Sequence, residues 1–262
     1  MIEEITPVII TYNEAPNIAR TLDRLGWAKR VVVIDSGSND ETLEIIRSYP
    51  QAEVIHRPFD DCASQWNFGN AQVVQGWVLS LDADYELSDA LVAELGGLHP
   101  TVTMSGYRAR FVYRIFGRPL RGSLYPPRIV LYRKDRGHYR NVGHTQQLVI
   151  TGDVMPLSGV IFHDDRKPLA RWIGSQRRYA HKEVDYLLAT DENSLGRIDR
   201  LRLAGWFTPF AVLFYTLFFK GCLFDGWPGW YYVLQRGFAE TLIALEIIDR
   251  RLRQCTKGKP GS

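Results

Sequence analysis

The sequence is short of cysteine, and the three cysteines that it has are far apart. Cys62, Cys222 and Cys255 are odd in number and lack the paired spacing of zinc ligands. We therefore expect neither a disulfide framework nor a zinc site, and this composition fits a reducing cytoplasm. The net charge of +3 is mild and no tandem basic and aromatic motif is present, so we expect no nucleic acid partner.

Two common nucleotide-binding signatures are also missing. The first apolar run, residues 7–11, is not followed by Gly-x-Gly-x-x-Gly, and the chain has no Walker-type Gly-Lys-Ser/Thr sequence. A dinucleotide-dependent dehydrogenase and a P-loop NTPase are therefore not expected. Residues 1–4 are acidic and lead straight into that first run, so no signal peptide is expected either.

The N-terminal third contains a regular alternation of two patterns. Apolar, β-branched runs predict strands at residues 7–11, 31–35, 53–56 and 77–82. Apolar residues at helical spacing predict helices at residues 18–25, 42–48 and 62–74. The alternation predicts an α/β fold with a Rossmann-like, mostly parallel sheet. Continuous apolar strands suit such a sheet because both of its faces are covered.

Polar clusters follow three of these strands, at residues 11–14, 35–40 and 82–84. Ligands bind beyond the carboxyl ends of the strands in open sheets of this kind, so the clusters predict a nucleotide pocket. Asp82 and Asp84 are two residues apart and can turn toward one hard cation, Mn²⁺ or Mg²⁺. The alternative is a strand end followed by an acidic helix start.

Three motifs carry a family resemblance. Thr-Tyr-Asn-Glu at residues 11–14, Asp-Ser-Gly-Ser-Asn-Asp at 35–40 and Asp-Ala-Asp at 82–84 resemble the motifs of family 2 glycosyltransferases of the GT-A fold. The branch of this family that the chain resembles most includes lipopolysaccharide-core glucosyltransferases. The resemblance implies a GT-A catalytic domain over residues 1–165. Its nucleotide-sugar half would end near residue 100, and residues 101–165 would form its acceptor half.

The resemblance also implies roles for individual residues. Asp84 would bind a divalent cation that holds the donor's diphosphate, and Asp82 would lie near the ribose and the metal. His163 is a further candidate ligand beside Asp84. Such a cation stabilises the charge that develops on the leaving diphosphate. The implied nucleotide-binding residues are Thr11, Tyr12, Glu14, Asp35, Ser36, Gly37, Asp82 and Ala83.

An inverting transferase needs a general base to take the proton of the acceptor hydroxyl. In the branch that the chain resembles, a Val-His-Glu motif supplies a carboxylate. The matching stretch here is Val-Gly-His-Thr at residues 142–145, with Thr145 where the Glu is expected. The remaining candidates are His144, Asp164 and Asp165. The two aspartates are alternatively the acidic start of the helix that follows.

The acceptor half is rich in arginine. Two alternating patterns predict strands at residues 105–113 and 128–132, and the arginines in or between them include Arg110, Arg114, Arg118, Arg121 and Arg128. Arg forks match phosphate geometry, so Arg121 and Arg128 are predicted to bind a phosphate of the donor or of an anionic acceptor. A solvated, charged sheet edge is the alternative.

The C-terminal third predicts a helical, aromatic-rich appendage over residues 166–254. Residues 203–219 carry no charge and many aromatics, yet they are short for a membrane span and contain Pro209. Arg197, Arg200 and Arg202 precede this run. The pattern favours attachment to the surface of an anionic membrane. A buried helical layer or a homo-oligomer interface is the alternative, and residues 255–262 are predicted to be a disordered tail.

Together these features predict a metal-dependent inverting glycosyltransferase. It would move a sugar from a nucleotide diphosphate, UDP in particular, to a lipid-linked or cell-envelope glycan. We expect it in the cytoplasm, peripheral on the inner face of the cytoplasmic membrane. One alternative is a nucleotidyltransferase, although residues 11–17 lack its glycine-rich, Arg-containing loop. A non-catalytic, membrane-associated scaffold derived from a transferase is the other, supported by the missing Glu at Thr145.

Overall fold

A computed structural model describes residues 1–142 and 145–257, without the side chains of Val142, Thr145 and Lys257. The chain forms two compact units. The first comprises Met1–Pro119 and Leu124–Lys167, and the second comprises Leu120–Ser123 and Pro168–Ser262.

The first unit opens with the predicted alternation of strands and helices. Its first four strands are parallel and lie in the order β3-β2-β1-β4. Helix α3 begins at an N-cap aspartate, Asp61, whose side chain accepts from Ser64 N at 2.9 Å. The elements are β1 Ile5–Thr11, α1 Ile18–Asp23, β2 Val31–Asp35, α2 Thr42–Arg47, β3 Ala52–His56, α3 Cys62–Ala71 and β4 Trp77–Asp82.

The rest of the first unit extends this sheet to the order β3-β2-β1-β4-β8-β6-β11-β5, with β7 paired to β6. Strand β8 is antiparallel to its neighbours β4 and β6, whereas β11 is parallel to β6. A separate hairpin is formed by β9 and β10. The elements are β5 Tyr85–Leu87, α4 Asp89–Gly97, β6 Met104–Ile115, β7 Arg118–Pro119, β8 Arg128–Arg133, β9 Gly137–Val142, β10 Thr145–Ile150 and β11 Asp153–His163.

Alternate residues of the strands feed two cores, one on each face of the sheet. Val31 and Val33 pack with residues of α1, α2 and α4. Val32 and Ile34 pack instead with Trp66 of α3 and with the β9–β10 hairpin. Helix α3 sits close to the sheet at Gly69, where an added Cβ would lie 2.6 Å from a valine methyl of β1. Both faces are therefore covered, as the unbroken apolar strands require.

The second unit is helical. A small core joins α5 and α8 through Val184, Leu187 and Ile247. The uncharged run, residues 203–219, contains α7 and a π-helical turn over Tyr215–Phe219, and a 3₁₀ turn over Cys222–Asp225 follows it. Among the described residues, no helix is both long enough and apolar enough to span a bilayer. The helices are α5 Leu169–Ala189, α6 Arg197–Ala204, α7 Thr208–Phe214 and α8 Trp227–Lys257.

Arg202 has a structural role in the second unit. Its guanidinium donates to Glu183 Oε1 at 2.8 Å and to both carboxylate oxygens of Glu240, at 2.6 and 3.1 Å. The two carboxylates are buried, so this cation balances charge that has left water. Arg202 was predicted to face anionic lipid beside Arg197 and Arg200, and this network engages it instead.

Candidate functional site

The three polar clusters predicted from the sequence meet at one edge of the sheet. Thr11 lies opposite Asp35 in the register of β1 and β2, and Ile10 lies opposite Asp82 in that of β1 and β4. Because these strands are parallel, their carboxyl ends lie side by side, where open α/β sheets bind ligands. The edge thus gathers hydroxyl and carboxylate groups from three separate segments.

The carboxylate of Asp35 accepts hydrogen bonds from within the turn that this residue begins. Its carboxylate accepts from Gly37 N at 2.8 Å, from Ser38 N at 3.0 Å and from Ser38 Oγ at 2.5 Å. Ser38 Oγ accepts in turn from the backbone N–H of Asn13 at 2.8 Å. Gly37 has φ of +94°, which a side chain would strain. The loops after β1 and β2 are therefore fixed to each other by the chain's own hydrogen bonds.

The other predicted nucleotide-binding residues differ in what they can offer a ligand. Tyr12 is half exposed, and the buried Thr11 Oγ1 has no hydrogen-bond partner among the described residues. Ser36 Oγ accepts from a glutamine of α3 at 2.9 Å. Ala83 is buried and its carbonyl accepts from a threonine of α1 at 2.8 Å, which makes it a structural contact.

Charged groups from the start and the end of the first unit converge around Asp84. Lys167 Nζ lies 2.8 Å from Glu14 Oε1, 3.4 Å from Asp165 Oδ1 and 4.0 Å from Asp84 Oδ2. His163 Nε2 lies 3.3 Å from the same Asp84 oxygen. We call these five residues the Asp84 cluster. Sequence reasoning missed Lys167, although it follows the aspartate pair by two residues.

Asn17 joins the two ends of this cluster. Its Nδ2 donates to Glu14 Oε2 at 2.9 Å and to Asp165 Oδ1 at 3.2 Å. Its Oδ1 accepts from the backbone N–H of Arg166 at 3.0 Å and from Arg20 at 2.7 Å. The side chain is thereby held in one orientation by four partners. No sequence motif signalled this role, because the partners lie almost 150 residues apart.

The cluster holds three carboxylates and one ammonium. Burial raises the pKa of Glu14 to about 7, and the nearby Lys167 only partly opposes this. Burial lowers the pKa of Lys167, but Asp84, Glu14 and Asp165 together raise it above its ordinary value, so it stays charged. Burial also raises the pKa of Asp84, yet His163 and Lys167 bring it well below its ordinary range. Near neutral pH, Asp84 is therefore ionised, whereas Glu14 is present in both its protonated and its ionised form.

Asp82 and His163 respond to the same charges. Burial and the charge of Asp84 raise the pKa of Asp82, and Arg128 opposes this increase. Burial lowers the pKa of His163, but Asp84 more than reverses this, so the imidazole pKa lies above its ordinary value. His163 consequently favours its charged form, and its Nε2 donates a hydrogen bond to Asp84.

The donor set at Asp84 fits a divalent cation that takes most of its ligands from a bound diphosphate. No group of three or more acidic, His or Cys side chains forms a closed metal site among the described residues. Asp84 Oδ1 is buried and accepts no hydrogen bond within residues 1–142 and 145–257. Mg²⁺ characteristically binds through one or two carboxylates together with substrate phosphates. Asp84, with Asp82 beside it, meets that requirement.

Asp164 and Asp165 are neighbours in sequence with opposite surroundings. The side chain of Asp164 is 0% exposed, and its Oδ2 lies 3.0 Å from Arg20 and 2.7 Å from Arg166. The same oxygen accepts from the backbone N–H of Gly117 at 2.9 Å. The side chain of Asp165 is 21% exposed and belongs to the Asp84 cluster. Asp164 therefore balances the charge of two partly exposed arginines, whereas Asp165 can meet a ligand.

The two predicted phosphate-binding arginines lie in different units. Arg128 of β8 lies in the first unit. Its guanidinium stacks 4.6 Å from the ring centre of Tyr125, and its charge opposes the increase in the pKa of Asp82. Arg121 lies in the second unit, 3.3 Å from Asp225. The structure brings Arg128 to the site but does not place Arg121 among its contacts. His144, the third base candidate, lies outside the described residues.

Comparison with known proteins identifies the family. The family model described as "Glycosyl transferase family 2" matches residues 6–142, just over half of the chain. The chain belongs to glycosyl transferase family 2. As a family 2 glycosyltransferase it is a transferase, and its first unit has the GT-A-like α/β fold that the sequence motifs implied. The resemblance drawn from those three motifs is confirmed.

Two curated relatives are bacterial glycosyltransferases. An uncharacterized glycosyltransferase of Rickettsia prowazekii is 25% identical over 201 residues, which cover 71% of this chain and 68% of that protein. LpsC of Rhizobium meliloti, a lipopolysaccharide core biosynthesis glycosyltransferase, is 32% identical over 87 residues, or 32% of each protein. This second match spans about a third of the relative's length.

A solved structure also aligns with the family 2 glycosyltransferase described here. It is S. aureus TarS, residues 1–349, in complex with UDP-GlcNAc, at 12% identity and a TM-score of 0.47. The alignment covers 94% of this chain and 92% of that chain.

Proposed function

We propose that this family 2 glycosyltransferase transfers a sugar from a nucleotide diphosphate, UDP in particular, to a lipid-linked or cell-envelope glycan. The observation that carries the proposal is the Asp84 cluster at the carboxyl edge of β1, β2 and β4. There Asp84, an ionised carboxylate whose Oδ1 accepts no hydrogen bond from the described residues, lies at the same sheet edge as Thr11 and Asp35. A diphosphate with a divalent cation matches that combination of charge and hydrogen-bonding groups.

The bound cation, Mn²⁺ or Mg²⁺, would supply charge stabilisation to the departing diphosphate. Asp84 would hold it, with Asp82 beside it. Lys167 would stabilise the ionised carboxylates and add positive charge near the leaving group. Thr11 and Tyr12 would line the nucleotide, and Asn17 would keep Glu14 and Asp165 in place. Lys167 and Asn17 already make the contacts that these roles use, and Thr11 Oγ1 and Asp84 Oδ1 have no hydrogen-bond partner among the described residues.

The reaction would be a single displacement with inversion. The acceptor hydroxyl oxygen forms a bond to the anomeric carbon as the bond from that carbon to the diphosphate oxygen breaks. The hydroxyl proton passes to a general base. We propose Asp165 for this role, because it is accessible and Asp164 is sealed against Arg20 and Arg166.

A matched pair of variants tests the base. Asp165→Asn should lower kcat by about 10²-fold or more and leave nucleotide affinity nearly unchanged. Asp164→Asn should instead weaken the fold, because it leaves Arg20 facing a neutral amide. Retained turnover in Asp165→Asn, with turnover lost in His144→Ala, would move the base to His144.

The donor site is tested by thermal shifts with UDP, GDP, CMP and dTDP, each with Mn²⁺ or with EDTA. A nucleotide at about 100 times its Kd should add about 2.7 kcal/mol of stability. We expect a Mn²⁺-dependent shift with UDP that Asp84→Asn abolishes. Asp89→Asn is the control, since it removes the same charge from a side chain that is 90% exposed. Stabilisation that survives in Asp84→Asn, or that EDTA leaves intact, would contradict the proposal.

The second unit supports membrane attachment of the enzyme. Large aromatic side chains of its uncharged run face solvent: Trp206 is 71% exposed, Phe210 66% and Phe219 71%. Exposed apolar surface of this kind marks an interaction site, and Trp and Tyr are typical of the membrane interface. Arg197 and Arg200 are exposed close by in sequence and would meet anionic lipid. We therefore propose that the protein is peripheral on the cytoplasmic face of the cytoplasmic membrane.

Sedimentation with phosphatidylglycerol vesicles tests this surface. The double variant Phe210→Ser, Phe219→Ser should lose vesicle binding. Leu245→Ser, which removes an exposed apolar side chain from α8, should keep it. If the wild-type protein ignores vesicles and forms dimers that the double variant disrupts, the aromatic surface is an oligomer interface instead.

A further inference from the structure

A cavity of about 490 Å³ in the first unit extends from the candidate site and has no part in the roles proposed so far. Residues of β4, β6, β8, α3 and the β9–β10 hairpin line it. Asp82 is among them, so the cavity opens onto the carboxylates at the end of β4. The five residues of the Asp84 cluster do not line it, which separates the cavity from the groups assigned to the diphosphate.

One wall of the cavity is aromatic. Trp66 and Tyr139 are stacked, with ring centres 5.4 Å apart and planes inclined by 21°. Trp66 is buried, and its indole N–H has no acceptor among the described residues. A buried donor without a partner is costly, and a hydroxyl oxygen of a ligand would satisfy it. Aromatic surface with a few directed polar groups, including Gln146, suits a polyhydroxylated ring.

The charge of the lining is unbalanced. Two arginines, Arg108 and Arg128, and one carboxylate, Asp82, are among the lining residues. Arg128 acts on Asp82 and stacks on Tyr125. Arg108 makes no ion pair within the described part of the chain and lies exposed on β6, in register with Ile129. The cavity therefore keeps one guanidinium fork available for an anion.

We infer that this cavity binds the acceptor saccharide and selects one that carries an anionic group, a phosphate or a carboxylate, through Arg108. The inference rests on the proposed function, which it deepens by naming the acceptor's chemistry. The sugar ring packs on the Trp66 wall, and its reacting hydroxyl reaches past Asp82 to the Asp84 cluster, where the donor's anomeric carbon and the proposed base Asp165 would lie. The anionic group pairs with Arg108.

Binding of three sugars to the full chain tests the inference. Glucose 6-phosphate, glucuronate and methyl glucoside carry a phosphate, a carboxylate and no charge, and their affinities can be compared by ligand-observed NMR. We expect at least one acidic sugar to bind about tenfold more tightly than methyl glucoside, since a charged hydrogen bond is worth that much. Preference for glucose 6-phosphate or for glucuronate then identifies the anion. Equal affinity for all three sugars would overturn the inference.

Two arginine variants localise the effect. Arg108→Gln should remove the preference for the acidic sugar and keep the weaker binding of methyl glucoside. Arg110→Gln is the matched control, because Arg110 is exposed two residues along the same strand but does not line the cavity. An equal loss in both variants, or no loss in Arg108→Gln, would refute the role of Arg108.

Nucleotide binding separates this inference from the proposed function. UDP with Mn²⁺ should bind together with the acidic sugar and should bind Arg108→Gln as tightly as wild type. Mutual exclusion of UDP and sugar would assign the cavity to the donor and overturn the inference. If UDP does not bind while the Arg108-dependent sugar preference persists, the donor proposal fails and the anionic saccharide site stands.

Discussion

Glu14 gives the sharpest prediction, because its pKa lies near 7 instead of at its ordinary 4.5. That gap corresponds to on the order of 3 kcal/mol of unfavourable interaction when the carboxylate is ionised in the folded protein. The side chain is only 12% exposed, so solvent does little to screen the cost. The increase in pKa comes from burial, to which the charge of Asp84 adds, while Lys167 and a hydrogen bond from Asn17 partly oppose it.

The sign follows from proton binding. Between about pH 4.5 and 7 the unfolded chain has lost the Glu14 proton and the folded protein still holds it. The unfolded state then binds fewer protons, so this group lowers stability as the pH rises, and the full cost is present above pH 7. Glu14→Gln removes the titration. The difference in unfolding free energy between the variant and wild type should therefore shift in favour of the variant by on the order of 3 kcal/mol from about pH 4 to pH 8.

Urea unfolding at both pH values, in EDTA and without nucleotide, measures this difference. Glu41→Gln makes the same chemical change at an exposed position and controls for general effects of charge. A stability difference between Glu14→Gln and wild type that stays constant from about pH 4 to pH 8 would refute the reasoning. It would mean that Lys167 offsets the whole cost of ionising Glu14 in the folded protein.

Two further predictions concern packing and buried charge. Gly69→Ala should cost about 1–3 kcal/mol in urea unfolding, because its Cβ would lie 2.6 Å from a valine methyl of β1. Gly26→Ala is its control, with no atom within 4 Å of the new Cβ, and should be neutral or slightly stabilising. Arg202→Met should cost about 3–5 kcal/mol, since it takes the bidentate cation from the buried Glu240. Arg200→Met, an exposed position on the same helix, should change the unfolding free energy little.

The first half of the sheet was predictable because its information is local. Each of β1, β2 and β4 is a continuous apolar run that ends in polar residues, so the strand and the edge that it reaches are both visible in the sequence. The β9–β10 hairpin and β11 were not predicted. Their sequences mix polar and apolar residues, and β11 pairs with β6, about fifty residues earlier.

The site was predictable only in part, because some of its residues depend on partners that are distant in the sequence. The Asp84 motif marks itself by spacing, whereas the difference between Asp164 and Asp165 depends on which of them meets Arg20, 144 residues away. Asn17 and Lys167 likewise act through partners at the other end of the unit. Nothing in the residues around any of these four positions records the distant contact.

The pairing of Glu14 and Asp84 with Lys167 has a consequence for synthesis of the protein on the ribosome. Both carboxylates lie within the first third of the chain, and the lysine is made 83 residues after Asp84. At about 5–20 residues per second, translation of that interval takes roughly 4–17 s. During this time the nascent chain contains Glu14 and Asp84 but not the Lys167 ammonium that pairs with them. The proposed donor site would thus be completed late, after the last strand of the sheet has left the ribosome.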